Sequence, residues 1–246
     1  MAQKLSIEYF VTMCGGVTRL ADLWSLSTEY LGSQGIRIVD YNTTERVRQG
    51  THFSHIVQKG FPDAWVKHYV MERLRRFDPI PKTAMRLQRP FLWSQTGSFW
   101  ALRPEQQDFL EERARNVPGD GLVIPVYGPN MLNACVGFGF GDRVPDLSDR
   151  EIFNFQTVAQ MGHLRYCEIT RERRQKTDLS PREIDVLRWI VRGKSNSVIA
   201  EILGISRHTV DTMTRRMFDK LHVHDRTSAA VLAMGSGLID RPIDTD

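Results

Sequence analysis

Cysteine is scarce. The chain of 246 residues has three, Cys14, Cys135 and Cys167. An odd number without metal or redox spacing excludes a disulfide framework and points to a reducing compartment, the cytoplasm. Cys135 and Cys167 sit on apolar segments and read as small packing groups. No apolar run approaches the ~18 residues a membrane span needs. The first ten residues, MAQKLSIEYF, lack the apolar core of a secretory signal. No membrane partner is expected. Catalytic constellations are missing too. No nucleophile elbow or paired carboxylates stand out, so neither an enzyme nor a cofactor is expected. His52 and His55 have no cysteine or carboxylate at ligand spacing beside them, which argues against a metal. The glycine alternation from Gly137 to Gly141 is not followed by Gly-Lys-Ser, so it is no phosphate loop. Internal repeats and low-complexity tracts are absent.

Charge of one sign is also limited: 33 Lys and Arg stand against 29 Asp and Glu, a net +4. Its distribution is uneven. From Arg171 onward there are 14 cations and 11 anions, or +3, which leaves +1 for the longer remainder. A small excess in the C-terminal part fits a polyanionic partner there. The length has room for two domains. The segment TRERRQKTD, from Thr170, is charged and has no apolar period. We place the domains at 1–170 and 179–246, with 171–178 as linker.

Residues 179–226 read as three short helices joined by tight turns. Ser180, Pro181 and Glu183 form a helix start: a hydroxyl cap, proline at the first helical position and a carboxylate reaching back. Ile184, Leu187, Trp189, Ile190 and Val191 supply its apolar side, and Gly193 stops it. Ser195 or Asn196 caps the second helix and Gly204 ends it. Ser206 caps the third, whose Val210, Met213, Met217, Phe218 and Leu221 share one face. Arg207, Asp211, Thr212, Arg215, Arg216 and Lys220 lie largely on the other. Helix, turn and cation-bearing helix is the helix-turn-helix pattern. A helix fits the DNA major groove, a guanidinium can bridge two acceptors of guanine, and hydroxyls and lysines reach phosphates. On pattern alone DNA binding is the favoured reading, and the alternative is a three-helix bundle whose charged face meets solvent.

The first 170 residues alternate helix and strand. Residues 5–31 read as helix and 35–42 as strand. Residues 42–60 are polar and loop-like, 62–75 helical, and 105–116 helical after Pro104. Strand-like runs at 121–128 and 135–140 flank a turn at Pro129-Asn130, which suggests an antiparallel pair. Pro125 points to an edge or bulge. Asp146 or Ser148 opens a long helix ending near Thr170. The expected fold is therefore an α/β sandwich, an antiparallel sheet between helices, followed by an all-α helix-turn-helix domain.

The densest group of aromatic and acidic residues is FPDAWVKHYVMERLRRFDPIPKTAMRLQRPFLWSQ. Trp65 and Tyr69 share a helix face. Asp78 precedes Pro79, and Trp93 follows. A buried carboxylate is costly unless something donates to it. A small ligand with an amide N–H and a carbonyl would satisfy Asp78 and the Trp65 indole. On pattern alone the favoured reading is that Asp78 caps a helix begun at Pro79 inside an aromatic core.

Two resemblances sharpen these readings. The segment LSPREIDVLRWIVRGKSNSVIAEILGISRHTVDTMTRRMFDKLHVHDRTSAA resembles the DNA-binding domain of the LuxR/FixJ type. Glu183, Leu187 and Gly193 fall on its signature places. Thr209, Val210, Asp211, Arg215 and Lys220 fall on its recognition helix. The resemblance implies promoter contact through Lys194, Arg207, Thr209, Asp211, Thr212, Arg215, Arg216 and Lys220, with a dimer contact from the helix after it. Trp65-x3-Tyr69-x8-Asp78-Pro79-x13-Trp93, followed by Gly121 in GDGLVIPV, resembles the autoinducer-binding domain of LuxR-type quorum-sensing regulators. Together the two cover most of the chain. They imply a cytoplasmic homodimeric transcription factor that binds double-stranded promoter DNA and a small autoinducer, an N-acyl-homoserine lactone. Trp65 would donate to the lactone carbonyl and Asp78 would accept from the amide N–H. Trp93 would pack on the lactone ring, and Tyr69 would line the pocket near it. Phe61 stands where many members have a tyrosine, and Gly137 where several have Thr or Ser. Each missing hydroxyl costs about 1 kcal/mol of net hydrogen bonding. Gly137 and Gly139 are expected to leave volume for a roomy acyl pocket.

Overall fold

The computed structural model describes residues 4–46, 52–129, 132–142, 146–175 and 178–239. The chain divides into two compact units, the larger mainly from residues up to Ile169 and the smaller mainly from Thr170 onward.

The larger unit opens with two helices where one was expected. α1 spans Ile7–Gly16 and α2 Leu20–Ser33. Ser6 caps α1 by accepting from the Tyr9 N–H at 3.2 Å. Gly15 and Gly16, poor helix formers, close it, and Val17 is extended. The expected loop at 42–60 is a second correction. β1 runs Ile38–Arg46 and β2 runs His52–Lys59. These strands look polar for two reasons. β2 is the outermost strand of its sheet, and β1 carries Asn42 and Thr43 as buried polar residues. The side chains of His52 and His55, like Asn130, lie outside the described residues.

α3 (Asp63–Met71) ends two residues before Arg73, whose φ of 52° turns the chain into a short 3-10 turn at Leu74–Arg76. α4 (Ile80–Leu87) is the helix that Asp78 and Pro79 offered in the sequence. Two further elements escaped the sequence reading, the two-residue strand β3 (Phe91–Leu92) and a 3-10 segment at Trp93–Ser98. α5 (Pro104–Asn116), β4 (Gly121–Val126), β5 (Ala134–Gly139) and α6 (Asp149–Gln175) complete the unit. Ser148 starts α6, its Oγ accepting from the Glu151 N–H while Glu151 bonds back. Helical backbone continues to Gln175, through most of the expected linker.

The strand order is β2-β1-β5-β4-β3, and β1/β5, β5/β4 and β4/β3 pair antiparallel. β3 covers only Leu122 and Val123, so at Pro125 β4 is the edge, as a strand proline requires. Side chains alternate between two apolar layers. Val39, Ile124, Val136 and Phe138 pack with Phe10 of α1, Leu26 and Tyr30 of α2, and Phe155 and Val158 of α6. Ile38, Val123 and Cys135 face the other way, towards Trp65 of α3, Ile80 and Ala84 of α4, Phe109 of α5, and Trp93 of the 3-10 segment. Helices thus cover both faces of the sheet, as expected.

After α6, the described residues of the smaller unit form α7 (Pro181–Val191), α8 (Asn196–Leu203), α9 (Arg207–Leu221) and α10 (Arg226–Ser236). Its punctuation follows the sequence reading. Ser180 and Glu183 form a capping box, Ser195 and Ser206 cap α8 and α9, and Gly193 and Gly204 take left-handed φ. Val186, Leu187, Ile190, Ile199, Val210, Met217, Ala229 and Ala233 form one buried core.

Candidate functional sites

A cavity of about 160 Å³ opens between the sheet and the layer of α3, α4 and α5. Phe61, Trp65, Tyr69, Asp78, Trp93 and Gly137 all line it. Trp65 and Tyr69 stand one turn apart on α3, their rings 6.1 Å apart, and each lies near the Phe109 ring. Asp78 serves two elements. Its Oδ1 accepts from the Ile80 N–H at 2.9 Å and holds the start of α4; its Oδ2 accepts from the Tyr69 hydroxyl at 3.1 Å. Capping and cavity roles therefore coexist. An ionised carboxylate has about four acceptor sites, so capacity remains for another donor. Burial pushes the Asp78 carboxyl above its ordinary range, against the Ile80 N–H and Arg113, which pull it down. Burial and the adjacent Asp78 also push the Tyr69 hydroxyl up, so it stays a donor.

Trp93 is fixed from below. Asp120 accepts from the backbone N–H and hydroxyl of Ser94, and the Thr96 hydroxyl donates to the Trp93 carbonyl at 2.7 Å. The indole rests where a Cβ on Gly121 or Gly139 would lie, 2.5 and 2.8 Å from ring carbons. Gly121 is thus needed for ring contact with the sheet, not for a turn. Gly137 corrects an expectation. A Cβ there would meet Asp40 Oδ1 at 2.0 Å, so the space is filled by a carboxyl group. Neither Gly137 nor Gly139 leaves the extra volume expected of it. Phe61 offers a ring 6.3 Å from that of Trp93 and no donor.

Sequence reasoning missed two charged groups of this cavity, Asp40 and Arg113. Arg113 is 7% exposed; its guanidinium carbon sits 3.7 Å from the Trp93 ring centroid. Burial lowers its proton affinity, while Asp78 and Asp40 oppose that. Asp40 is pushed up to about 7 by burial, with Arg113 opposing and Asp78 adding. Signals existed. Asp40 lies two residues from Ile38 in β1, and Arg113 lies four from Phe109 in α5, each on an inward face.

On the smaller unit, Lys194, Arg207, Arg215 and Arg216 are exposed, and Thr209 and Thr212 are half-buried. Arg207, Asp211 and Arg215 follow at four-residue spacing along α9. Lys220 and Asp211, both expected at DNA, have partners on neighbouring helices. Lys220 donates to both oxygens of the buried Glu183, at 2.9 and 2.7 Å. Asp211 accepts from Asn196 at 2.7 Å; Asn196 in turn accepts from Arg226, which also bonds the Lys194 carbonyl. These contacts tie α9 to α7 and α8, and α10 to α8.

A cavity lined by aromatics and carboxylates in an α/β sandwich, with a cation-bearing helix-turn-helix unit, defines a ligand-sensing DNA-binding protein. Comparison with known proteins agrees. Residues 19–166 match the autoinducer binding domain, and residues 177–233 match the bacterial regulatory proteins of the luxR family. The chain belongs to that family and is a quorum-sensing transcriptional regulator of LuxR type, which is not a family of enzymes. The transcriptional activator protein BjaR1 of Bradyrhizobium diazoefficiens is 28% identical over 187 residues, 75% of this chain and 76% of that one. The quorum sensing-dependent regulator VjbR of Brucella abortus is 28% identical over 239 residues, 90% of each. The crystal structure of Escherichia coli SdiA has a TM-score of 0.77 at 19% identity, covering 96% of this chain and 98% of that one. SdiA in complex with octanoyl-rac-glycerol gives 0.73, at 19% identity and 96% of each chain. Among the described residues, no helix is long and apolar enough to cross a membrane.

Proposed function

We propose that the cavity binds an N-acyl-homoserine lactone and that the protein, as a dimer, binds a two-fold symmetric promoter site. The observation that carries the reading is convergence. Trp65, Tyr69, Asp78 and Trp93, spread over 29 residues of sequence, line one largely apolar cavity. The Trp65 indole N–H donates to the lactone carbonyl. Asp78 accepts the amide N–H while keeping its bonds to Tyr69 and Ile80. Trp93 bounds the head-group end, and the apolar walls take the acyl chain. Arg215 and Arg216 contact bases or phosphates, with Arg207, Lys194, Thr209 and Thr212 around them. A dimer matches two half-sites about one DNA turn apart. For the ligand to act as a switch, it must favour the DNA-competent state over the others; equal affinity shifts nothing.

Thermal unfolding of the full chain against a lactone series tests this directly. At a ligand concentration 100 times Kd, about 2.7 kcal/mol of stabilisation is expected. Asp78→Asn should remove most of it. A second reading, an orphan LuxR-type regulator answering another ligand or none, is favoured by Phe61, which lacks the hydroxyl the lactone pattern supplies. Stabilisation by an acylglycerol and by no lactone would select it.

A further inference from the structure

The cavity has a second polar wall that amide and lactone recognition leaves unused. Asp40 projects from β1 across Gly137 of β5, its register partner, and reaches the place a side chain at that position would occupy. Arg113 comes from α5 opposite, nine-tenths buried, with its Nη2 lacking a hydrogen-bond partner among the described residues. Gln58 of β2 lines the same cavity, and its Oε1 is likewise without a partner among them. Arg113 and Asp40 sense each other's charge, yet no ion pair within 4.0 Å joins them among the described residues. The wall therefore presents one buried donor and two acceptors, all facing ligand space.

We propose that Asp40 and Arg113 form a subsite for a hydroxyl group on an acyl-chain ligand, the hydroxyl donating to Asp40 and accepting from Arg113 Nη2. Polar matching selects this group. A methylene leaves both protein groups unpaired in a buried place, which is costly. A keto oxygen accepts from Arg113 but offers Asp40 nothing when that carboxyl is ionised. A hydroxyl is donor and acceptor at once, so it satisfies Asp40 in either protonation state. Burial holds that carboxyl's pKa at about 7, where both states are populated. Gly137 makes the arrangement possible: any side chain there would displace the carboxyl.

The inference rests on the reading of the cavity as an acyl-ligand site, and the test separates the two. Binding by the full chain is measured for N-acyl-homoserine lactones of equal chain length bearing CH2, C=O or CHOH at carbon 3, and for 1-octanoylglycerol. The hydroxyl lactone should bind about tenfold or more tightly than the CH2 compound, with the keto compound between. Asp40→Ala should abolish the advantage of hydroxyl over keto. Arg113→Met, which keeps bulk over Trp93, should weaken hydroxyl and keto compounds together and spare the CH2 compound relative to them. Equal affinity for all three lactones, or a hydroxyl preference that survives Asp40→Ala, overturns the subsite while leaving the lactone reading intact. Octanoylglycerol bound in an Asp40-dependent manner, with no lactone bound, overturns the lactone reading and keeps the subsite. Binding of neither class overturns both.

Discussion

Glu183 and Asp40 are both carboxylates withdrawn from bulk water, one in each unit, and they are treated differently. Glu183 receives Lys220 on both oxygens and the Ser180 N–H on one. Burial pushes its pKa up, but these donors outweigh burial and hold it below the usual carboxylate range. Asp40 has a cation nearby without contact, and burial pushes it up. The smaller unit thus uses its inward-facing charges to lock helices together and leaves Arg215 and Arg216 to the outside. The larger unit keeps donor and acceptor capacity in its interior, where only something entering the cavity can use it. A DNA-binding unit needs a rigid frame behind free surface cations. A sensor needs a polar demand that its ligand meets.

The variants that break this contrast run from large effects to small. Asp78→Asn turns an acceptor-only carboxylate into an amide that opposes the incoming N–H. Ligand affinity should fall about 10- to 100-fold, the value of one hydrogen bond to a charged group, as read by calorimetry. Lys220→Ala leaves Glu183 buried with one fewer partner. It should lower the stability of the smaller unit by about 1–3 kcal/mol in denaturant unfolding, an effect a purely DNA-contacting lysine would not have. Arg215→Ala should cost about 1–3 kcal/mol of promoter binding if the guanidinium reads a base, and less with a shallower salt slope if it holds a phosphate. Unchanged binding in both Arg215→Ala and Arg216→Ala would contradict the placement of the recognition helix.

Asp40→Asn sharpens the comparison through pH. With the folded carboxyl at about 7 against an ordinary 3.8, the native state binds more protons than the unfolded state between those values. Stability therefore falls as pH rises through that window, and the penalty is complete above it. The variant should exceed the parent by about 1–3 kcal/mol at pH 8 and converge with it near pH 4. Glu183 behaves oppositely. Its contribution is present above pH 4.5 and lost as pH falls through its depressed native value. Chemical unfolding of the two units at pH 4, 6 and 8 checks both directions.

What the sequence made legible follows the range of the interactions. Ser180, Glu183, Ser195, Gly204 and Ser206 act on backbone groups within four residues, so the helix-turn-helix punctuation could be read off directly. The three inner strands were readable from their apolar runs, β1 only as far as residue 42. β2 was not, because an edge strand carries polar residues as a loop does. The break between α1 and α2 was signalled by two glycines inside an otherwise helical pattern. In the cavity, Phe61, Trp65, Tyr69, Asp78, Trp93 and Gly137, singled out by the family resemblance, stand together. Asp40 and Arg113 were not legible, because their meaning depends on a sheet register and a facing helix. Gly137 shows the same limit: its missing side chain signified space in the sequence and a neighbour's carboxyl in the fold.

The measurement closest to the central claim is mass spectrometry of solvent extracts from protein expressed with and without a mixture of acyl-homoserine lactones. A lactone retained in stoichiometric amount by the parent protein, and lost in Asp78→Asn, is the predicted result. Soluble protein that binds promoter DNA and retains no lactone would contradict it.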